Sequence, residues 1–132
     1  MSDSFDAAIL SRTCYSEARG EPFEGKLAVC WAIVNRWQSK RWFAGTTIAS
    51  TAMKAKQFSC WNDNDPNRPK MCDATDDELK ECQAAAMAAI LGTVADPTEG
   101  CTHYLGPNAI ADWADRPHDV AIGRHRFWRN IP

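Results

Sequence analysis

From Leu27 to Val34 the chain reads LAVCWAIV, eight consecutive residues with no charged side chain. An amphipathic helix keeps one polar face, whereas a helix built from this stretch is apolar all round and must be covered on every side. The run is far too short to cross a bilayer, which takes about 20 apolar residues, so the covering has to come from the chain itself. The sequence has 132 residues, enough for one core of this kind. Internal repeats, low-complexity tracts and linkers are missing from it, so residues 1–132 are read as a single domain. With 45% hydrophobic and 24% charged residues, the composition is that of an ordinary globular protein. The formal net charge of -2 argues against a nucleic-acid partner.

Around the central segment the spacing predicts further helices. Asp3 or Ser4 is placed to cap a first helix, with Phe5, Ile9, Leu10 and Cys14 at helical intervals on its apolar face. Gly20 is expected to end it in a left-handed conformation, and Pro22 to open the central helix over about residues 22–38. A short helix over 47–54 takes its cap from Thr46 or Thr47. Residues 57–74, QFSCWNDNDPNRPKMCDA, read as one long polar loop. Thr75 and Glu78 form a capping box for a helix running to Gly92. Beyond it, CTHYL and RHRFW alternate as two short strands. The expected class is α+β, mostly helical, with a small sheet.

The end of the first helix carries two carboxyl groups in YSEARGEP, residues 15–22. The row Phe5, Ile9, Thr13 continues to Glu17, so this glutamate follows the core-facing stripe to the helix C-terminus. The negative end of the helix dipole and an apolar surround both favour its protonated form. Glu21 stands at the positive start of the next helix, where it is expected to stay ionised and to charge that helix start. Two carboxyls pushed apart in this way form the acid and base pattern of glycosidases. Exposed glutamates at helix ends are common, so spacing alone leaves a catalytic and a surface role open.

YSEARGEPFEGKLAVCWAIVNR resembles the opening block of the SleB/CwlJ-type cell-wall hydrolases, the spore cortex-lytic enzymes and related phage endolysins. QFSCW, DPTEGCTHY and IGRHRFW are similar to the family's later blocks, in the same order, over about residues 9–129. The resemblance implies a lysozyme-like fold related to lytic transglycosylases. It also implies an enzyme that cleaves the β-1,4 bond between N-acetylmuramic acid and N-acetylglucosamine in peptidoglycan glycan strands. Glu17 matches the family's single catalytic acid. Glu21 and Tyr104 are accessory candidates, with a helix-start role for Glu21 as the plainer alternative. Gln57, Ser59, Trp61, His103 and Trp113 are candidates for substrate binding, Trp61 and Trp113 as flat surfaces for sugar rings. His103 and Tyr104 are both expected on a strand facing the cleft. Phe58 is read as core, and His125 with the flanking Arg124 and Arg126 as residues that shape the fold or touch the wall rather than do chemistry.

Competing readings are a hydrolytic muramidase with a second carboxylate from Glu21 or the Asp63–Asp65 loop, an N-acetylmuramoyl-L-alanine amidase, and a noncatalytic glycan-binding module. The amidase usually wants a zinc triad, and His103, His118 and His125 lack such spacing. NDNDPN does not reproduce a full calcium loop, so neither metal nor other cofactor is expected. Cys14 and Cys30 read as small buried hydrophobes, while Cys60, Cys72 and Cys82 flank the polar loop and are candidates for pairing in an oxidising compartment. MSDSFDAAIL lacks the basic and apolar regions of a signal peptide. The expectation is therefore a monomer made in the cytoplasm, without membrane insertion, reaching the wall by a holin-dependent route. Chelation tests the metal expectation: lysis of purified peptidoglycan should proceed at an unchanged rate in excess EDTA, and strong inhibition would restore the amidase reading.

Overall fold

The computed structural model describes residues 2–54 and 67–132. The expectations placed on Gln57, Phe58, Ser59, Cys60, Trp61 and the Asp63–Asp65 loop lie outside these residues. The described elements are α1 (Ser2–Ala18), α2 (Phe23–Ser39), α3 (Ile48–Met53), α4 (Asn67–Cys72), α5 (Asp76–Leu91), β1 (His103–Leu105), β2 (Val120–Ile122) and β3 (His125–Trp128). The α+β class, mostly helical with a small sheet, is as expected.

Helix α2 is the centre of the molecule. It touches α1, α3, α5, β1 and β2, and Leu27, Ala28, Val29, Cys30, Ala32, Ile33 and Val34 are all buried. The apolar run thus receives the covering it required. Close approach of α5 is possible because its inward face is small: Ala85, Ala86, Ala88 and Ala89 are buried there beside Leu79 and Cys82. The capping box of α5 forms as read, with Thr75 Oγ1 accepting from the Glu78 N–H and Glu78 Oε1 accepting from the Thr75 N–H. Gly92 ends the helix at φ 68, a conformation that costs a glycine nothing sterically. Thr47 caps α3 in the same way with Ser50.

Several boundaries depart from the sequence reading. α1 already contains Asp3 and Ser4, so neither caps it from outside. Phe5 is 59% exposed, because the stripe that packs inward begins at Asp6, Ile9 and Leu10. Asp6 is held in the interior by accepting the Ala49 N–H of α3. Gly20 does not adopt a left-handed conformation; a Cβ there would come within 3.1 Å of the Arg124 guanidinium, so its smallness serves the passage of that side chain. Part of the long loop is helical, since α4 has its proline in the first turn, where none of its N–H groups is needed, and anchors itself through buried Met71. Cys82 does not flank the loop: it lies in the core with Cys14 and Cys30, and all three are free thiols, as is exposed Cys72.

The sheet has three strands rather than two, in the order β1-β3-β2, with both pairings antiparallel. Tyr104 and Val120 both stand opposite Phe127. β2 and β3 are joined by the two-residue turn Gly123–Arg124, and Gly123 takes φ 58 there. Three residues are too few for alternation to announce β2; its pairing with β3 creates it.

Thr75→Ala removes the oxygen that caps α5 and should cost about 1 kcal/mol of stability. Urea unfolding of the two proteins measures this, and an unchanged midpoint would mean that the helix start is held by packing alone.

Candidate active site

Glu17 occupies the last turn of α1, one residue before Ala18, where the helix closes with the Glu21 N–H bonded to the Ala18 carbonyl. Its side chain is half-buried. Tyr104, at the middle of β1, donates its hydroxyl to Glu17 Oε1 at 2.9 Å. The tyrosine ring is buried against Phe127 and His125, so its hydroxyl is aimed by packing on both sides. Glu17 and the accessory candidate Tyr104 are therefore brought together across 87 residues of sequence.

Successive residues of a strand point to opposite faces. With Tyr104 turned to Glu17, His103 faces the other way, where its ring meets Phe43 and Trp113 edge-on, each at 4.8 Å. It is only 4% exposed, and burial, followed by the charges of Arg36 and Arg41, pushes its pKa down to about 3. The expectation that His103 faces the cleft together with Tyr104 is corrected: the neutral ring is a packing element. Trp113 belongs to the same row, half-exposed, with Trp128 on its other side at 5.1 Å.

Glu21 is the second carboxyl, and its surroundings differ from those read in the sequence. It does not cap α2, whose N-cap is Pro22 with no side-chain bond. Instead its carboxylate, on a residue only 5% exposed, points at the β2–β3 turn. Oε1 accepts the Arg124 backbone N–H and Oε2 accepts Arg124 Nε, both at 2.9 Å. A Cβ at Gly123 would lie 2.1 Å from Glu21 Oε1, and one at Gly25 would lie 2.9 Å from Glu21 Cβ. Two glycines thus clear the space in which this carboxylate crosses from the helices to the hairpin. The Arg124 backbone bond holds the Glu21 pKa down; burial opposes it, and the Arg124 side chain and His125 reinforce it. Glu21 stays ionised, as expected, for this reason rather than for a helix dipole.

His125 opens β3 beside both glutamates. Its Nδ1 lies 3.8 Å from Glu21 Oε1 and has no hydrogen-bond partner among the described residues. Burial lowers its pKa, while Glu21 and a bond to the Glu17 backbone act in the opposite sense. A buried imidazole shifted this way is neutral near pH 7. The fold-shaping role read for His125 has a specific form: it holds the backbone of the residue whose carboxyl Tyr104 holds.

Neither Arg36 nor Gly123 stands out in the sequence, and Arg124 is read there only as a residue that shapes the fold or touches the wall. Arg36 is 6% exposed and donates from Nε to the Thr102 carbonyl, just ahead of β1. Burial lowers its pKa to about 10, and Tyr104 and Glu17 act to raise it. A signal was present: Arg36 lies three residues beyond Ile33 on the inward row of the most apolar helix. No group of three or more potential metal ligands occurs among the described residues.

A family model described as Cell Wall Hydrolase matches residues 20–128. The chain is 30% identical over 128 residues to the spore cortex-lytic enzyme of Oceanobacillus iheyensis and, over the same length, to that of Bacillus subtilis. Each match takes in 92% of this chain and 41% or 37% of the relative, so the chain spans about two fifths of their length. The catalytic domain of the Bacillus cereus SleB protein superposes with a TM-score of 0.73 at 27% identity, covering 94% of this chain and 89% of that one. The catalytic domain of the germination-specific lytic transglycosylase SleB from Bacillus anthracis gives 0.74 at 25% identity, with 94% and 93% covered. The lysozyme-like fold expected from the sequence is the one shared with these domains.

Glu21→Gln keeps the shape of the crossing but removes its charge, and at pH 7 it should cost about 1–2 kcal/mol, since Arg124 is largely exposed. A carboxylate whose folded pKa is depressed stabilises above its unfolded value, about 4.3, and loses that contribution as the pH falls through the folded value. The gap between wild type and variant should therefore be full at pH 7, begin to narrow near the unfolded value of about 4.3, and close only as the pH falls through the depressed folded value. Urea midpoints across this range measure it, and a gap independent of pH would show that the charge is not what holds the turn.

Proposed function

The chain belongs to the cell wall hydrolase family, and on that premise we propose that it cleaves the β-1,4 bond between N-acetylmuramic acid and N-acetylglucosamine as a lytic transglycosylase, with Glu17 as general acid and base. One observation carries the reading. The two carboxyls of YSEARGEP are treated oppositely: Glu21 is buried with each oxygen bonded to Arg124, whereas Glu17 is half-exposed and oriented by Tyr104.

Hydrolysis with inversion needs a second carboxylate about 6.5–9.5 Å from the acid to activate water, and hydrolysis with retention needs a nucleophile about 5–5.5 Å away. Glu21, committed to Arg124, is poorly suited to either task. Transglycosylation needs one carboxyl only. Glu17 gives its proton to the glycosidic oxygen as the bond to the muramic acid C1 breaks, and the electron pair leaves with that oxygen. The C6 hydroxyl oxygen of the same sugar then bonds to C1 and returns its proton to Glu17. No water is consumed, and the product ends in a 1,6-anhydro ring.

Tyr104 would keep the carboxyl pointed at the bond through both transfers. Trp113, a half-buried residue, is proposed as a sugar platform, and Gln57, Ser59 and Trp61 as further groove residues on the strength of the motif resemblance alone. The relatives are named for spore cortex, so the phage endolysin setting is not carried forward, and wall degradation is proposed without a stated setting.

Glu17→Gln should reduce lysis of purified peptidoglycan by about 10²- to 10⁴-fold, the range of general acid-base catalysis, with unchanged melting temperature. Glu21→Gln should retain the larger share of its activity once its lower stability is allowed for. A folded Glu17→Gln protein retaining more than about a tenth of the wild-type rate, within one factor of ten or about 1.4 kcal/mol, would remove Glu17 from the mechanism.

A further inference from the structure

We propose that Arg36 is a positioning residue for the Glu17 site: its buried cation stands behind the Tyr104–Glu17 pair and stabilises the carboxylate that Glu17 becomes once it has protonated the leaving oxygen. This rests on the assignment of Glu17 as the acid.

The guanidinium is fixed on three sides. Its stem comes from α2, the most buried helix, and Nε is held by the Thr102 carbonyl. The Phe43 ring lies beneath it at 5.5 Å. Thr102 is in turn tied to the sheet by donating its N–H to the Trp128 carbonyl at 3.1 Å. Two residues further along the same strand, Tyr104 delivers its hydroxyl to Glu17 Oε1. The cation, through the Thr102 carbonyl, and the tyrosine, through its own Cα, are therefore both tied to one short piece of backbone.

Arg36, with its pKa lowered to about 10, remains charged in spite of burial; Tyr104 and Glu17 act to hold that pKa up, and since Tyr104 keeps the proton it donates to Glu17, the partner that can carry charge near neutral pH is Glu17. Such interactions are reciprocal. A cation favoured by the Glu17 carboxylate favours that carboxylate equally. In a site largely shielded from water, the effect is stronger than it would be at the surface. The other titratable groups around Glu17 do not supply this charge. His125 of β3 is neutral near pH 7, and the Arg124 guanidinium is engaged by Glu21. On the far side of β1, His103 is neutral as well.

The chemical consequence follows from the two-step reaction. Glu17 changes from neutral to anionic when it gives up its proton and back again when the C6 hydroxyl returns it. A fixed cation lowers the energy of the intermediate state, the only one in which the carboxyl is charged, and so assists proton donation more than ground-state binding. Its loss should appear in kcat more than in KM.

Arg36→Gln tests this, since glutamine keeps an N–H for the Thr102 carbonyl and removes the charge. In uniformly 13C-labelled protein, the titration of the Glu17 side chain followed by NMR should move up by about one pH unit in the variant, the scale of one charge lost beside a carboxyl. Arg36→Lys should leave it within a few tenths of a unit of wild type. The high-pH limb of the lysis profile, which reports protonated Glu17, should move up with the NMR midpoint in Arg36→Gln, while kcat falls at least about tenfold at little change in KM.

A folded Arg36→Gln protein with an unmoved Glu17 titration overturns the inference. If that variant does not fold, Arg36→Lys decides alone: an upward move of a full unit with the charge retained overturns it, and an unmoved midpoint together with wild-type kcat supports it. Failure of the proposed function is separately visible. A shifted Glu17 titration in Arg36→Gln, with full activity in Glu17→Gln, would keep the coupling and dismiss the mechanism.

Discussion

The bond between Glu21 and the Gly123–Arg124 turn joins the two parts of this molecule. On one side are α1, α2 and α5, held by apolar packing; on the other is a three-stranded sheet of ten residues at most. So small a sheet has little surface with which to fix its own orientation. One carboxylate, reaching across at the α1–α2 junction, accepts a backbone N–H and a guanidinium N–H from the tip of the β2–β3 hairpin. The same hairpin carries His125, and β3 pairs with β1, which carries Tyr104. The side chain that holds Glu17 is thus registered against α1 through a contact four residues from Glu17 itself.

Two buried charges surround the half-exposed acid, and each is tolerated for a local reason. Glu21 has its oxygens satisfied by strong, charge-assisted bonds, with two glycines making room. Arg36 is held by a backbone carbonyl over an aromatic ring. Burying ionised groups is costly, and an apolar pair of similar shape would often be as stable or more so. Their value at this place is therefore better sought in orientation and in the electrostatics of Glu17. The contrast with His125 and His103 supports that view. Those two groups are also buried near charges, yet burial makes them neutral.

How much of this could be read from the sequence depended on whether a signal was local. LAVCWAIV announced the central helix because its all-round apolarity has one physical solution, and Thr75 with Glu78 announced a helix start because both halves of the capping box lie within four residues. The half-buried place of Glu17 in the last turn of α1 follows from its row on that helix. What was missed was long-range. Glu21 looked like a helix-start acid because its partner, Arg124, is 103 residues away. Gly20 reads as a left-handed helix stop, yet its φ is not positive, and a Cβ added there would meet the end of that same arginine's side chain. Treating His103 and Tyr104 as neighbours in a cleft ignored the alternation of a strand, although the period was available from the sequence. β2 was invisible since it exists by virtue of β3.

If one carboxyl, Glu17, serves both proton transfers while Glu21 holds the architecture, water takes no part in bond cleavage. Digestion of purified peptidoglycan in water enriched in oxygen-18, followed by mass spectrometry of the released muropeptides, tests this most directly. Transglycosylation gives unlabelled muropeptides ending in 1,6-anhydro-N-acetylmuramic acid. Heavy oxygen at C1 of the muramic acid would contradict it and require a second group that activates water, while heavy oxygen in the lactyl carboxyl would mark an amidase.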